Sequence, residues 1–445
     1  MRKILVALAA AALLAGFPLM SSSAATPTPA GKVWVGGTPT AGGTWAARTS
    51  GWPTATTFVY RWYIDSTLMK TSISSDDDTY VVPATYFNHK VSLKVTGTAP
   101  GDTGTNVTLA ALRVQVANPL AGDQWNPPDG PYQYKWDGTA WVSQSGTVYA
   151  PAAIQNRPRV TWFPGPSDKS RTAVATQIST QMSVLGHYID TSQNGDPEAL
   201  TQLAVFGIYS VQGGEGYLHT ALTNTEVANY HTWITALART LGQTRVAIVL
   251  EPDLAITTNP AYASDATRQA MTKWAAATLS QDKHAAIYLS AGDADWLSPT
   301  QAANLLKASG IQYVRGFDLG DTHYSTLGSD IMQGAAIVKA LSALGYTNRH
   351  FVVDTSDNGK GFGFSQDPTR AVCASKSSPP PCVTLGVPPT WQVIDTHNPL
   401  NSTQAYYALR LQDADLWIGR PWNQDQAWPF LPARARQLAA SSPYA

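Results

Sequence analysis

Charge is scarce in this chain. Only 13% of its 445 residues are charged, and 30 basic residues balance 30 acidic ones. That balance lacks the basic footprint that nucleic-acid binding requires. No His/Cys cluster has the spacing of a metal site, and no Gly-rich phosphate loop is present. No cofactor is therefore expected. Long apolar runs are also missing. The only apolar run near the N-terminus, Ile4 to Leu14, is too short and wrongly flanked for a membrane span, so no membrane insertion is expected. Cysteine is limited to Cys373 and Cys382.

Aromatic residues, in contrast, are plentiful, with 15 Trp and 19 Tyr, and hydrophobic residues make up 44%. The core can be large, and the surface must be rich in Ser, Thr, Gln, Asn and Gly. A polar, weakly charged, aromatic-rich chain suits neutral ligands such as sugars. The length predicts two domains. Met1-Arg2-Lys3, the apolar run and the small residues Ser23-Ala24-Ala25 read as a secretory signal peptide cleaved near Ala25. In an oxidising compartment, Cys373 and Cys382 are expected to close the Ser-Ser-Pro-Pro-Pro loop as a local disulfide.

Residues 26–118 read as all β. Phe58, Tyr60, Trp62 and Ile64 alternate with polar positions, and Tyr80-Val81-Val82 and Val91 to Val95 are further strands. With Gly and Pro at roughly 8–12 residue spacing, this predicts a small sandwich. Tyr60-Arg61-Trp62 and Val91-Ser92-Leu93-Lys94-Val95-Thr96-Gly97 resemble cysteine-free immunoglobulin-like modules of exported bacterial proteins. The resemblance implies a spacer or packing module, with sugar binding by Trp45 or Trp52 as the alternative. Residues 119–150 hold Trp125 and the stretch Trp136-Asp137-Gly138-Thr139-Ala140-Trp141, and read as an aromatic-rich hairpin or linker.

The remainder, 151–445, alternates short apolar strands with helical patterns. Strands are expected at 159–163, 203–208, 246–250, 285–289, 313–317 and 350–354, and helices at 229–241, 265–280, 299–308 and 330–344. This predicts an α/β fold with a parallel sheet closed into a barrel. At its centre lies Val246-Ala247-Ile248-Val249-Leu250-Glu251-Pro252-Asp253. Pro252 should end the strand, leaving two carboxylates at a carboxyl end, where α/β folds build active sites. Asp253 could equally cap a following turn.

These strand ends resemble glycoside hydrolase family 6, the inverting cellobiohydrolases and endoglucanases that cleave β-1,4-glucan. Leu250-Glu251-Pro252-Asp253-Leu254-Ala255 is similar to that family's strand-end signature. Tyr288-Leu289-Ser290-Ala291-Gly292-Asp293-Ala294-Asp295-Trp296-Leu297 resembles its Tyr-Leu-Asp-Ala-Gly-His-x-x-Trp-Leu element. Asp354-Thr355-Ser356-Asp357-Asn358-Gly359, Cys382 to Thr390, and Leu416 to Asp425 resemble three later elements in the same order. The resemblance implies a distorted barrel of parallel strands. Several positions depart from the family. Its Tyr-x-x-Pro-x-Arg-Asp-Cys stretch is represented by Phe206 to Gly213, with Gln212 where the family Asp raises the pKa of the acid. Ser290, Asp293, Asp357, Gly419 and Asn423 replace other polar family residues, and Arg420 lies beside them. Glu215, just beyond Gln212, is a candidate to compensate.

The resemblance implies inverting hydrolysis. An acid protonates the leaving oxygen and a base activates water, with the two carboxyls roughly 6.5–9.5 Å apart. Asp253 is the candidate acid and Asp425 the candidate base, while a structural role is the alternative for each. Trp162 and Trp296 are candidate sugar platforms, or else core. Gln212, Asp293, Arg420 and Trp422 are candidate substrate contacts, and His323 matches a family Asn. The expected protein is a secreted, monomeric, inverting β-glycosidase acting on a polysaccharide. A shifted glycan specificity and a non-catalytic carbohydrate-binding role are the alternatives.

Overall fold

The computed structural model describes residues 25–37, 40, 43–83, 86, 89–114, 118–122, 125–127, 135–136, 141–142, 151–367, 369–394, 400–423, 426 and 430–444. The expected signal segment, except Ala25, and the candidate base Asp425 lie outside the described residues.

Inward-facing residues at every second position build the N-terminal region. Along β3 (Thr57–Ile64), Phe58, Tyr60, Trp62 and Ile64 are buried and their neighbours are not, as a strand with one covered face requires. The flanking strands are β1 (Lys32–Gly37), β2 (Thr44–Ser50), β4 (Thr67–Ser74), β5 (Asp78–Val81), β6 (Lys90–Thr98), β7 (Thr105–Thr108) and β8 (Leu112–Arg113). They form two antiparallel sheets, β1-β2-β5 and β4-β3-β6-β7 with β8 on β6, around one core. Trp45 is fully buried there. The ring of Trp52 is covered by Gly31 and Gly97, where an added Cβ would come within 2.4 Å of it. Trp45 therefore offers no free face to a sugar, whereas Trp52 keeps partial exposure. Beyond this region, β9 (Lys135–Trp136) pairs antiparallel with β10 (Trp141–Val142).

From Thr161 onward the strands are short and covered on both sides. They are β11 (Thr161–Pro164), β12 (Thr201–Phe206), β13 (Val246–Leu250), β14 (Ala285–Ser290), β15 (Gly316–Leu319), β16 (His350–Asp354) and β17 (Gln412–Leu416). All seven are parallel and lie in sequence order. The helices in chain order are α1 (Ala152–Gln155), α2 (Val174–Gln193), α3 (Asn224–Leu241), α4 (Asp265–Leu279), α5 (Pro299–Ser309), α6 (Leu327–Ala343), α7 (Ser402–Leu411) and α8 (Pro432–Ser441). Helices α2 to α6 pack their apolar faces on the outer side of the sheet. The inner side is a separate core in which the small Ala204, Ala247, Ala286 and Ala414 leave room for Trp162 and Tyr288. At the seam between the edge strands, Val160 donates its N–H to the Trp417 carbonyl at 2.9 Å and the Trp162 indole donates to Ile418 at 2.7 Å. Among the described residues this seam carries no full ladder, so the barrel is distorted at that place.

Several elements differ from the sequence expectation, among them helices α7 and α8, which were not expected. The strand expected at 313–317 begins only at Gly316, after a helical turn at Ile311–Tyr313. A Cβ at Gly316 would stand 1.7 Å from the His350 carbonyl oxygen, so only glycine lets the two strands meet. The last strand is Gln412–Leu416, ending where the stretch Leu416 to Asp425 begins. Its polar residues are fully buried, and Asp413 accepts two bonds from Arg315 at 2.8 and 2.9 Å and one from the Tyr288 hydroxyl at 2.7 Å. Helix α2 was not expected, because Gln177, Gln181 and Ser192 occupy its buried face. Gln181 there accepts the indole N–H of Trp233 at 2.8 Å.

Cys373 and Cys382 form the expected disulfide. It staples a loop whose arms also pair through backbone bonds, Cys373 to Val383 at 2.9 Å and Val383 to Ala371 at 2.8 Å. Closing a loop of this length restrains the unfolded chain by about 2–3 kcal/mol. The double variant Cys373→Ser/Cys382→Ser should lose about that much in urea unfolding of the barrel. An unchanged midpoint would mean that the backbone pairing already restrains the loop in the unfolded chain.

Candidate active site

Strand β13 ends in a sharp turn. Glu251 and Asp253 adopt left-handed conformations, with φ of 58° and 67°, on either side of Pro252. Non-glycine residues seldom adopt this conformation, and such strain clusters at functional sites. Glu251 holds the turn. Its carboxylate accepts the N–H groups of Gly207 and Ile208 at 2.8 and 3.0 Å and the Tyr230 hydroxyl at 2.7 Å. Burial raises its pKa to about 7 against those three donors. Glu251 is thus a clamp between β13, the end of β12 and α3. Tyr230→Phe removes one donor to this buried carboxylate and should cost about 1.5–3 kcal/mol, read by urea unfolding. Unchanged stability would mean that the clamp does not depend on that hydroxyl.

Asp253 is different. It is half-buried, and its backbone carbonyl is held by the Tyr209 hydroxyl at 2.9 Å. Its carboxyl lies within electrostatic reach of Arg420 and Asp321. Burial lowers the pKa of the Arg420 guanidinium to about 9, and the Asp253 charge opposes that change.

Around this point the ends of β14, β15 and β16 and the first turn of α6 carry buried acids. Asp293, Asp318, Asp321, Asp330, Asp354 and Asp357 are all essentially inaccessible. Burial pushes each of them up, and their mutual charges push Asp293, Asp318, Asp321, Asp330 and Asp357 further. Asp354 reaches only about 6, because the N–H groups of Ser356, Ile418 and Gly419 bond to it. Gly419 makes this possible, since a Cβ there would lie 2.7 Å from the Asp354 Oδ2. Among the described residues, no group of three or more His, Cys, Asp or Glu is placed to hold a metal ion.

The predicted substrate contacts divide into two groups. Trp296 and Arg420 are partly open. Trp296 stacks on His323 at 4.7 Å, and His323 stacks in turn on Phe364 at 4.1 Å. The His323 Nδ1 lies 2.7 Å from Asp295. Arg420 lies 3.8 Å over the ring of Trp162, so the tryptophan face proposed for a sugar is covered by a guanidinium. Trp162, Gln212, Asp293 and Trp422 are buried. Trp422 belongs to a packing cluster with Trp417, Tyr324 and Phe362; a hydrophobic ring at the centre of such a cluster is core, not a platform. Both ends of the Gln212 amide are engaged inside the protein. It donates to the Thr220 carbonyl at 2.8 Å and accepts from Arg268 at 2.5 Å. Arg268 is the residue that sequence reasoning missed here. It sits on the buried face of α4, where a helical arginine carries no distinguishing signal. The side chain of Glu215 lies outside the described residues.

A cavity of about 570 Å³ opens at the carboxyl ends of β11 and β12, lined by Ser167, Lys169, Arg171 and Ser210 among others. Gly213 and Gly214, the two residues after Gln212, also line it.

The family model described as "Glycosyl hydrolases family 6" matches residues 139–401, more than half of the chain. The chain belongs to glycosyl hydrolase family 6. Endoglucanase 1 of Streptomyces halstedii is 29% identical over 215 residues, 47% of this chain and 61% of that protein. Endoglucanase A of Cellulomonas fimi is 27% identical over 223 residues, 50% of this chain and 44% of that protein. The chain therefore spans less than two thirds of either relative. Among solved structures, the endoglucanase Cel6 from Mycobacterium tuberculosis, in complex with methyl-cellobiosyl-4-deoxy-4-thio-β-D-cellobioside, aligns with a TM-score of 0.52 at 26% identity. That alignment covers 72% of this chain and 98% of the other. Family 6 membership and the parallel barrel agree with the resemblance of the strand ends.

Proposed function

We propose that this family 6 chain is a secreted inverting glycoside hydrolase that cleaves β-1,4-glucan or a related polysaccharide, with Asp253 as general acid. One observation carries the reading. Asp253 stands half-open on a strained turn at the carboxyl mouth of the barrel, while its neighbour Glu251 is fully spent as a clamp. Of the two carboxyls in the signature, Asp253 is the one partly exposed at the barrel mouth, while Glu251 is buried. A protonated Asp253 would give its proton to that oxygen as the bond breaks. Water, activated by Asp425 directly or through other waters, would attack the opposite face and invert the anomeric carbon. Trp296 and Arg420 are the candidate contacts for the sugar. No cofactor is needed. The same reading takes residues 1–25 as a cleaved leader, 26–118 as an immunoglobulin-like spacer, 119–150 as a linker and 151–445 as the catalytic barrel of a monomer. No helix among the described residues is long and apolar enough to cross a membrane.

The test is product release from a panel of soluble polysaccharides, with the fresh anomer read by proton NMR. Release of the α-anomer from a β-linked substrate supports the reading, and the β-anomer would overturn inversion. A second reading is favoured by the Gln212–Arg268 bond and by Arg420 lying on Trp162. In it the pocket has shifted to another glycan, or binds glycan without cleaving it. Turnover confined to a glycan other than plain β-1,4-glucan would select the first form. Saturable binding with no release from any glycan would select the second.

A further inference from the structure

The cavity at the ends of β11 and β12 takes no part in the proposed cleavage. Two glycines fix its place in the layers. A Cβ at Gly165 would come within 3.0 Å of the Gly207 Cα, and one at Gly207 within 2.4 Å of the Trp233 ring. Trp233 belongs to the outer core, whereas Trp162, under Arg420, belongs to the inner one. The cavity therefore opens over the helical layer, outside the mouth that holds Asp253. Its walls are fixed in advance. The buried Gln177 amide of α2 accepts the Ser167 N–H at 3.1 Å and donates to the Ser167 and Thr172 carbonyls at 2.8 and 2.7 Å. Opposite chain is held by Gly213 and Gly214, whose N–H groups bond to the Ser210 and Tyr209 carbonyls at 2.9 and 3.0 Å.

The lining has hydroxyls and positive charge. Ser167 and Ser170 accept the N–H groups of Lys169 and Thr172 at 3.1 and 3.2 Å, so their own protons are left to donate. Ser210 donates to the Phe206 carbonyl at 3.0 Å and keeps its lone pairs. Lys169 and Arg171 are the charged residues in the described lining, and none there is acidic. Lys169 is committed to Asp168 and Glu226 at 3.2 and 3.6 Å. Arg171 is exposed and makes no ion pair among the described residues. Tyr217, 41% exposed, stands beside the rim, its ring 2.9 Å from the Cβ position of Gly213. At about 570 Å³ the space is of the size that small ligands occupy.

We propose that this cavity is a second glycan site, outside the catalytic mouth, for a sugar unit that carries a carboxylate. Arg171 binds the carboxylate, the serines bind ring hydroxyls and Tyr217 takes an apolar sugar face. The planar guanidinium fork matches a carboxylate through two parallel bonds. The inference rests on the reading of the chain as a protein that acts on polysaccharide.

The test is calorimetric titration of the full-length protein with a β-1,4-linked triglucuronate, with cellotriose and inorganic phosphate as controls. The triglucuronate should bind. Arg171→Ala should weaken it about tenfold or more, and Arg171→Lys by less. Arg171 is exposed, so neither variant disturbs the core. Tyr217→Ala should weaken it too, while kcat/KM on plain β-1,4-glucan stays unchanged in all three variants. Cellotriose binding should be indifferent to Arg171. Equal triglucuronate affinity in wild type and Arg171→Ala, or no binding at all, would overturn the inference. Phosphate binding as tightly as the triglucuronate, also through Arg171, would overturn it by showing an anion site without sugar recognition. Binding through Arg171 without hydrolysis of any glycan would instead overturn catalysis at Asp253 and support this second site.

Discussion

Asp253→Asn should lower kcat/KM on polysaccharide by about 10²–10⁴-fold while leaving the unfolding midpoint nearly unchanged. The amide has the shape of the acid but no acidic proton to give to the leaving oxygen. It also suits the left-handed backbone, with φ of 67° at this position, because asparagine is among the residues most at ease there. Loss of chemistry is thereby separated from loss of fold. A substrate whose leaving group departs without a proton, such as an aryl glycoside, should lose far less. That contrast distinguishes a missing general acid from a disturbed binding site. Full retention of polysaccharide hydrolysis would remove Asp253 from the mechanism, and an equal loss on both substrates would assign it a binding role.

The sequence was informative where one physical signal dominated. Strands β13 and β16 and the start of α5 appear in the structure at the residues expected from apolar runs and helix signals. Elements whose buried faces are polar were not legible. Strand β17 hides Gln412, Asp413 and Asp415, and α2 hides two glutamines. Only tertiary partners make such residues tolerable inside a core. The site divided in the same way. The turn at Glu251-Pro252-Asp253 could be read from the strand ending in Pro252. The separate roles of its two acids could not, because they depend on Gly207, Ile208 and Tyr230 arriving from other elements. Trp422 and Trp162 looked like platforms because strand-end tryptophans can be either open or packed. One was decided by its neighbours Trp417 and Tyr324, the other by Arg420.

The barrel should be most stable in mildly acidic solution and should lose stability steadily from about pH 5 to pH 8. Burial raises the pKa of Glu251 from 4.5 to about 7, and that of Asp354 from 3.8 to about 6. Asp321, raised by burial and then by Asp253, reaches about 8. Between the unfolded and folded values of each group, the folded protein binds the proton and the unfolded chain does not. Stability therefore falls as pH rises through that window. For Glu251 alone the shift corresponds to about 3 kcal/mol. Asp413 acts in the opposite direction on the acid side. Burial would raise it, but the bonds and charge of Arg315 outweigh burial and hold it at about 2. Its contribution of about 2 kcal/mol is present above pH 4 and lost as pH falls towards 2. The maximum should accordingly lie near pH 4–5. Urea unfolding of the barrel transition, measured from pH 3 to pH 8, checks both limbs. Glu251→Gln should flatten the alkaline slope, since the amide has no proton to lose. Stability that stayed level or rose between pH 5 and pH 8 would mean that these buried carboxyls are ionised in the native barrel.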